Sequence, residues 1–227
     1  MKFLRFTLAA SLQSWGEDSP WEVRQTSEMP TKSGVVGLIS ACFGYRHGDP
    51  RIAELNNSIR VAFRADKPGT VMMDFNAIKS NRDYMVSSEG KMRLNGGQRI
   101  TGLISRKYYL QDARFQVFIQ AEENVLNAIY TAMRSPKWLV SLGRKACVPS
   151  EPVIPVWIKA DNLYDAVRQF EPVDREKAEK RVKVEMDYSG TDKSTLIRKV
   201  YTRQDNSIGG AGRNCMARKV CSFYVDV

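Results

Sequence analysis

The stretch YYLQDARFQVFIQAEENVLNAIYTAMR, residues 108–134, changes its hydrophobic period part-way along. Up to Gln120 the apolar side chains of Phe115, Val117 and Ile119 recur at every second position, so residues 108–120 read as a strand. From Glu122 the spacing lengthens to four. Val125, Ile129 and Met133 then form the stripe of an amphipathic helix that ends near Arg134. A strand feeding into a helix needs one layer on which both can bury an apolar face, and residues 153–158 read as the next strand of that layer.

Upstream, residues 2–9 alternate, with Leu4, Phe6 and Leu8 on one face and Phe3, Arg5 and Thr7 on the other. Ser33 is placed to cap a helix over 34–43, which Gly44 ends. Asp49-Pro50 starts a short second helix that reaches Asn56-Asn57. Residues 58–65 alternate again. Ile59, Val61 and Phe63 face one way and Arg60 and Arg64 the other, which predicts a sheet with one wet, basic face. The order strand, helix, strand, strand, helix, strand predicts an α+β fold of the ferredoxin-like or RRM-like kind. Residues 71–77 also read as strand, so the third strand has two candidate positions. The expected division is a domain over 1–160 and a smaller, β-rich C-terminal subdomain over 161–227.

The chain of 227 residues carries 35 Lys and Arg against 25 Asp and Glu, a net charge of +10. The excess is clustered. Residues 78–110 hold Lys79, Arg82, Lys91, Arg93, Arg99, Arg106 and Lys107 against Asp83 and Glu89. With turn points at Gly90 and Gly96-Gly97, the segment reads as a protruding hairpin or arm. Residues 193–219 carry seven basic residues against Asp205 alone, around a Gly209-Gly210-Ala211-Gly212 run, whereas residues 151–192 are mildly acidic. The mixed segment 174–183 reads as a solvated helix. Concentrated positive charge is the electrostatic footprint of a nucleic-acid binder.

Other classes are excluded in turn. With 43% hydrophobic residues the chain is neither disordered nor fibrous. Its longest nearly apolar run, residues 34–43, is half of what a bilayer requires, and the charged start Met1-Lys2-Phe3-Leu4-Arg5 does not resemble a signal peptide; a soluble, cytoplasmic protein without membrane contact is expected. Cys42, Cys147, Cys215 and Cys221 form no CxxC pair and His47 is the only histidine, so neither metal nor cofactor is expected. Cys42 reads as a small core residue, and a Cys-His or Ser-His mechanism, which would have to recruit His47 from a loop-like stretch, is not expected.

Aromatic residues interleaved with cations suit single-stranded nucleic acid, because a base stacks on the ring while the cation meets the phosphate. Tyr84 lies beside Arg82, and Tyr108-Tyr109 follow Arg106-Lys107; both tyrosines cannot face out of one strand. Thr31-Lys32-Ser33-Gly34 offers amides and a cation at a helix start, though from pattern alone it reads more readily as an ordinary Ser cap with a surface Lys. Leu142-Gly143-Arg144-Lys145 puts a glycine before two cations, where backbone can approach a sugar-phosphate chain.

These residues also match a known pattern. Ser11-Leu12-Gln13-Ser14-Trp15-Gly16, then 29–38 (MPTKSGVVGL), Ala41-Cys42-Phe43-Gly44, 106–115 (RKYYLQDARF) and 141–147 (SLGRKAC) together resemble the CasD family of type I-E CRISPR Cascade subunits, within the repeat-associated RRM-like superfamily. The resemblance implies an RRM-like fold with a protruding thumb, here 78–110. It also implies a non-catalytic subunit that grips the 5′ handle of the crRNA and caps the backbone filament. Implied partners are the crRNA handle, the backbone subunit, the large subunit and target DNA near the handle. The implied RNA-contacting positions are Gln13, Trp15, Lys32, Ser33, Gly34, Arg106, Gly143, Arg144 and Lys145, to which the charge and aromatic pattern adds Arg82, Lys107 and Tyr108. Trp15 beside Gly16 also suits a buried structural role. The loop Glu17-Asp18-Ser19-Pro20-Trp21-Glu22 departs from the family pattern.

The wider family also contains enzymes that cut repeat RNA. A metal-independent endoribonuclease is therefore the alternative, with a Tyr–Lys pair such as Tyr108 with Lys107 or Lys145 in the acid–base roles. A third class is a free-standing RNA-binding protein. Handle capture is expected to weaken, and its salt dependence to fall, when Arg106 or Arg144 is replaced by alanine.

Overall fold

The computed structural model describes residues 1–17, 22–80, 84–86, 90–92, 94–95, 97–169, 181–190, 197–207 and 215–226. In chain order the elements are β1 (Lys2–Ala9), β2 (Leu12–Gln13), β3 (Val23–Arg24), α1 (Lys32–Phe43), α2 (Arg51–Ser58), β4 (Arg60–Lys67), β5 (Thr70–Lys79), β6 (Leu94–Asn95), β7 (Gln98–Arg99), β8 (Gly102–Gln111), β9 (Arg114–Gln120), α3 (Glu123–Arg134), β10 (Val156–Lys159), α4 (Leu163–Arg168), β11 (Arg181–Asp187), β12 (Lys199–Ser207) and β13 (Cys215–Asp226). The protein is α+β and built mostly on antiparallel sheets.

Seven strands form one antiparallel sheet in the order β10-β1-β9-β4-β11-β13-β12. The C-terminal strands thus continue the sheet that the N-terminal strands begin. Alternation sends Leu4, Phe6, Leu8, Val61, Phe63, Ala65, Phe115, Val117 and Ile119 to one face, where they pack with Val35 and Ile39 of α1 and Leu126, Ile129 and Met133 of α3. The other face carries Phe3, Ala62, Phe118, Val184, Met186 and Phe223, covered by Leu163, Ala166 and Val167 of α4. Each fully buried side chain of this size contributes about 1.5–3 kcal/mol relative to exposure.

Several expectations are corrected. The wet, basic face of residues 58–65 does not exist. Arg64 is fully buried, and its guanidinium donates to Asp66 Oδ1 at 2.6 Å and to the Val167 carbonyl at 2.8 Å, because α4 covers that side of β4. Thr31, not Ser33, caps α1; its Oγ1 accepts the Gly34 N–H at 3.2 Å. Residues 108–120 are two strands, since Asp112 takes a left-handed turn (φ 54°) between β8 and β9. Of the expected helix 174–183, residues 174–180 lie outside the described residues and Arg181–Lys183 belong to β11.

Between β4 and β9 the chain makes a second sheet. β5 pairs antiparallel with β8 along their whole length, from Thr70↔Gln111 to Lys79↔Gly102, and β2 and β3 hold the opposite edge of β8. This ladder begins eight residues before position 78, where the arm was expected, and the short β6–β7 pair lies further out along it.

The far half of the large sheet, facing the start of α1, is ionic rather than apolar. Arg218 donates to both carboxylate oxygens of Asp205 at 2.6 and 2.8 Å and to Asp187 at 2.7 Å. Arg203 binds Glu185, Glu17, Ser27 and the Pro30 carbonyl, and Tyr201 donates to Glu185. Asp205 also accepts the backbone N–H of Lys32 at 2.8 Å, placing a carboxylate at the positive end of the helix dipole. Burial opposes ionisation of Asp205, but the hydrogen bonds and charge of Arg218, with Arg203, outweigh it and hold the carboxyl below its ordinary value. For Arg203 burial is likewise outweighed, by Glu185 and Asp205, and the guanidinium sits above its ordinary value.

A depressed folded-state pKa means that Asp205 contributes stability in full above the unfolded carboxylate value of about 3.9, lost as the pH falls through the lower folded value. Thermal melting should therefore drop on acidification below about pH 4, with a flatter acid limb in Asp205→Asn. At neutral pH Arg218→Ala, which strands Asp205 in the interior, should cost about 3–5 kcal/mol in urea unfolding. Gly143 makes a second testable contact: with φ at +95°, an added Cβ would lie 1.7 Å from the Ser14 carbonyl oxygen. Gly143→Ala should cost at least about 2 kcal/mol by the same assay.

Candidate nucleic-acid interface

Three stretches that are distant in sequence meet at the base of β8. Residues 11–16 supply β2, which pairs Leu12 with Gln111 and Gln13 with Leu110, and the Ser14 N–H donates to the Leu142 carbonyl at 3.1 Å. The 141–147 loop is closed on itself by Leu142 N–H to the Cys147 carbonyl and Cys147 N–H to the Arg144 carbonyl, each at 2.8 Å. β3 joins from the other direction, parallel to β8, with the Arg106 N–H on the Glu22 carbonyl at 2.9 Å.

Arg144 ties these pieces together. Its guanidinium donates to the Tyr108 carbonyl at 3.0 Å and the Arg24 carbonyl at 2.8 Å, and lies 4.6 Å from the centre of the buried Tyr109 ring. Charge-assisted bonds to two carbonyls plus a cation–π contact make it a staple between the loop, β8 and β3. These contacts give Arg144 a structural role beside the one expected of it toward RNA.

Three further candidates are buried. Gln13 is fully buried, donating to the Ala113 carbonyl at 2.7 Å and accepting from Trp15 Nε1 at 3.1 Å. Trp15 lies under the α1 start, so close that a Cβ on Gly34 would sit 2.9 Å from its ring. Lys32 is only 7% exposed; its ammonium donates to the Ile59 carbonyl at 2.9 Å and lies 3.6 Å from Asp187, and burial lowers its pKa. Ser33 and Gly34 are half-buried in the first turn of α1, so neither is openly displayed. Arg82 lies outside the described residues.

The remaining candidates reach solvent. Arg106 is exposed, 5.8 Å from the centre of the Phe75 ring, which is itself 52% exposed. Lys107 and Tyr108 are half-buried on the same strand, while Lys145 and the Gly143 backbone are exposed on the stapled loop. The β8 face thus offers a cation over an open ring and a phenol, groups suited to a base and its flanking phosphate. Lys32, Arg106 and Arg144 thus do not form one exposed row; the open positions are Arg106 and Lys145.

The basic C-terminal set divides likewise. Arg203 and Arg218 are buried in the ionic cluster, Arg213 and the 209–212 glycine run lie outside the described residues, and Arg198, Lys199 and Lys219 are exposed, the first two beside Tyr224 and Tyr201. Cys42 is buried and its thiol is pushed up to about 11 by desolvation, which makes it inert. No helix among the described residues is long and apolar enough to cross a membrane. Sequence reasoning missed the ionic cluster and the duties of Gln13 and Arg144. The period-2 placement of Glu185, Asp187, Arg203 and Asp205 was a visible signal, but one shared with any wet face.

Comparison with known proteins agrees with this architecture. The Cascade subunit CasD of Escherichia coli (strain K12) is 27% identical over 177 residues, which are 75% of this chain and 78% of that protein. A chain of a solved CRISPR RNA-guided surveillance complex superposes with a TM-score of 0.73 and 26% identity, covering 100% of this chain and 91% of that one. A crystal structure of a Cas protein has the same fold, with a TM-score of 0.69, 24% identity and coverage of 99% and 95%. The sequence pattern described as CRISPR-associated protein (Cas_Cas5) matches residues 3–214, and the chain belongs to that family.

Proposed function

We propose that this protein is a non-catalytic subunit of a CRISPR surveillance complex that holds the 5′ handle of the crRNA and caps the backbone filament. The observation that carries the reading is the solvent-reaching face of β8, where Arg106 lies over Phe75 and Tyr108 follows on the same side, with Lys145 on a loop stapled to the same strand. Support comes from the relatives, one a Cascade subunit and one a chain of an RNA-guided surveillance complex. In this reading the β1-α1-β4-β9-α3-β10 unit is a ferredoxin-like, RRM-like core, which the strand order β10-β1-β9-β4 and the placement of α1 and α3 on one face support.

The β5–β8 ladder is the thumb. Its outward residues Val71, Met73, Phe75 and Ile104 are each about half exposed, which supports contact with the neighbouring backbone subunit, while other surfaces meet the large subunit and target DNA near the handle. Residues 1–160 supply the RNA-facing part and 161–227 brace it through the shared sheet and the ionic cluster. A reducing cytoplasm suits four free cysteines.

Fluorescence anisotropy with labelled repeat RNA in metal-free buffer tests the reading. Arg106→Ala and Lys145→Ala should each weaken binding and reduce the slope of log K against log salt by about 0.7 per lost phosphate contact. Arg144→Ala, which loosens the staple, should weaken binding with the slope unchanged. RNA recovered cut, with cleavage lost on replacing Tyr108 or Lys107, would establish the nuclease instead.

A further inference from the structure

We infer that Trp138 and Leu139 form a rigid apolar peg that docks into another protein subunit, one presenting an apolar pocket rimmed by carboxylates; this rests on the reading that the chain works within a multi-subunit complex. The peg stands well away in sequence from the β5–β8 ladder, and of the residues placed at the RNA edge only Lys145 lies in its segment.

The backbone on both sides of the peg is fixed. The N–H groups of Lys137 and Trp138 donate to the Cys42 and Ala41 carbonyls at 3.0 and 3.3 Å, tying the segment to the C-terminal turn of α1, where the Ala41 carbonyl also accepts the Gly44 N–H. The Lys137 methylenes lie against Gly44, where an added Cβ would meet Cδ at 2.8 Å. Beyond the peg, Val140 packs on the main core and Leu142 is fully buried. Held from both ends, the chain nonetheless leaves Leu139 100% and Trp138 44% exposed. A loop with freedom to fold over would cover such side chains; this one is mounted so that they stay out, at little entropic cost on binding.

Chemistry selects the partner. Residues 134–150 contain Arg134, Lys137, Arg144 and Lys145 and no Asp or Glu, and all of these except the stapled Arg144 are exposed. An apolar centre on a segment whose only charges are cationic is complementary to an apolar pocket with an acidic rim. Beside the peg a groove of about 500 Å³, lined by Phe43, Ala128, Thr131, Ala132 and Lys137, continues the apolar surface between α1 and α3. Single-stranded RNA would use the Trp138 ring and the cations, but it has no complement for Leu139, the most exposed large apolar side chain among the described residues.

The test is made in the ribonucleoprotein purified by co-expressing this chain with its neighbouring CRISPR-associated subunits and guide RNA. With p-benzoylphenylalanine in place of Leu139, irradiation should give an adduct to one different protein subunit. Leu139→Asp and Trp138→Ala should lower retention of that subunit at least about tenfold, while melting of the isolated chain and its affinity for labelled repeat RNA stay unchanged. Adducts to RNA or to a second copy of this chain, no adduct at all, or a complete complex with Leu139→Asp would each overturn the peg. Failure of the unmodified chain to co-purify with any subunit would instead overturn the multi-subunit reading, and the peg with it.

Discussion

A set of ionised side chains, sealed between the start of α1 and the far half of the large sheet, is the constraint on which the rest of the molecule depends. Elsewhere helices rest on the sheet through apolar contacts, which tolerate small slips. Here every contact is directional: Arg218 forks onto Asp205, Arg203 reaches Glu185, Glu17, Ser27 and the Pro30 carbonyl, and Asp205 accepts the first N–H of α1. Withdrawing such groups from water costs several kcal/mol per ion, recovered only when all partners are in place. Such a cluster therefore acts mainly on register, coupling the C-terminal strands, residues 17–30 and the helix start in one arrangement. The coupling is passed on: Gly34 sits on Trp15, Trp15 donates to Gln13, and Gln13 lies in β2 at the end of β8, where Arg144 staples the candidate RNA edge.

The same cluster changes how the positive charge should be read. A net charge of +10 predicts a basic surface, yet Lys32, Arg64, Arg203 and Arg218 are buried and Arg144 is turned onto backbone carbonyls. What remains outside is sparser and more local than the sequence clusters imply. Arg106 and Lys145 gain from this, because the strand and loop that carry them are pinned by internal hydrogen bonds and lose little freedom on meeting a ligand.

Elements set by hydrophobic period were legible: β1, α1, β4, β9 and α3 fall within a few residues of where alternation or four-residue spacing puts them. Local detail was less so. Asp112 breaks residues 108–120 because an Asp tolerates the left-handed region, which period analysis does not sense, and the α1 cap moves two residues to Thr31. The charged faces were illegible for a deeper reason. Alternation shows that Arg60 and Arg64, or Glu185 and Asp187, share a side of their strand, but not whether water, a helix or opposite charge lies across from it. Asp187 finds Arg218 31 positions away, and Lys32 finds Asp205 173 positions away. The family-matched positions Gln13, Trp15 and Lys32 show the same limit, since a polar or aromatic residue in a motif can serve the core as readily as a ligand, and all three are buried.

The molecule shows two kinds of uncovered apolar surface, and they differ in what must cover them. Along the ladder, β5 is a ten-residue strand bonded on one side to β8 and, among the described residues, open on the other, with Val71, Met73 and Phe75 outward. A long apolar edge of that kind invites indiscriminate strand pairing, so it calls for an extended surface that also blocks the edge. The 138–139 peg is no strand edge: the N–H groups of Lys137 and Trp138 are already engaged by α1, and what it presents is the side chains of Trp138 and Leu139. Its complement must be a pocket, read by shape and rim charge rather than by main-chain pairing. Two coverings with different physics imply two separate contacts, and the ionic cluster holds the parts that present them in fixed relation.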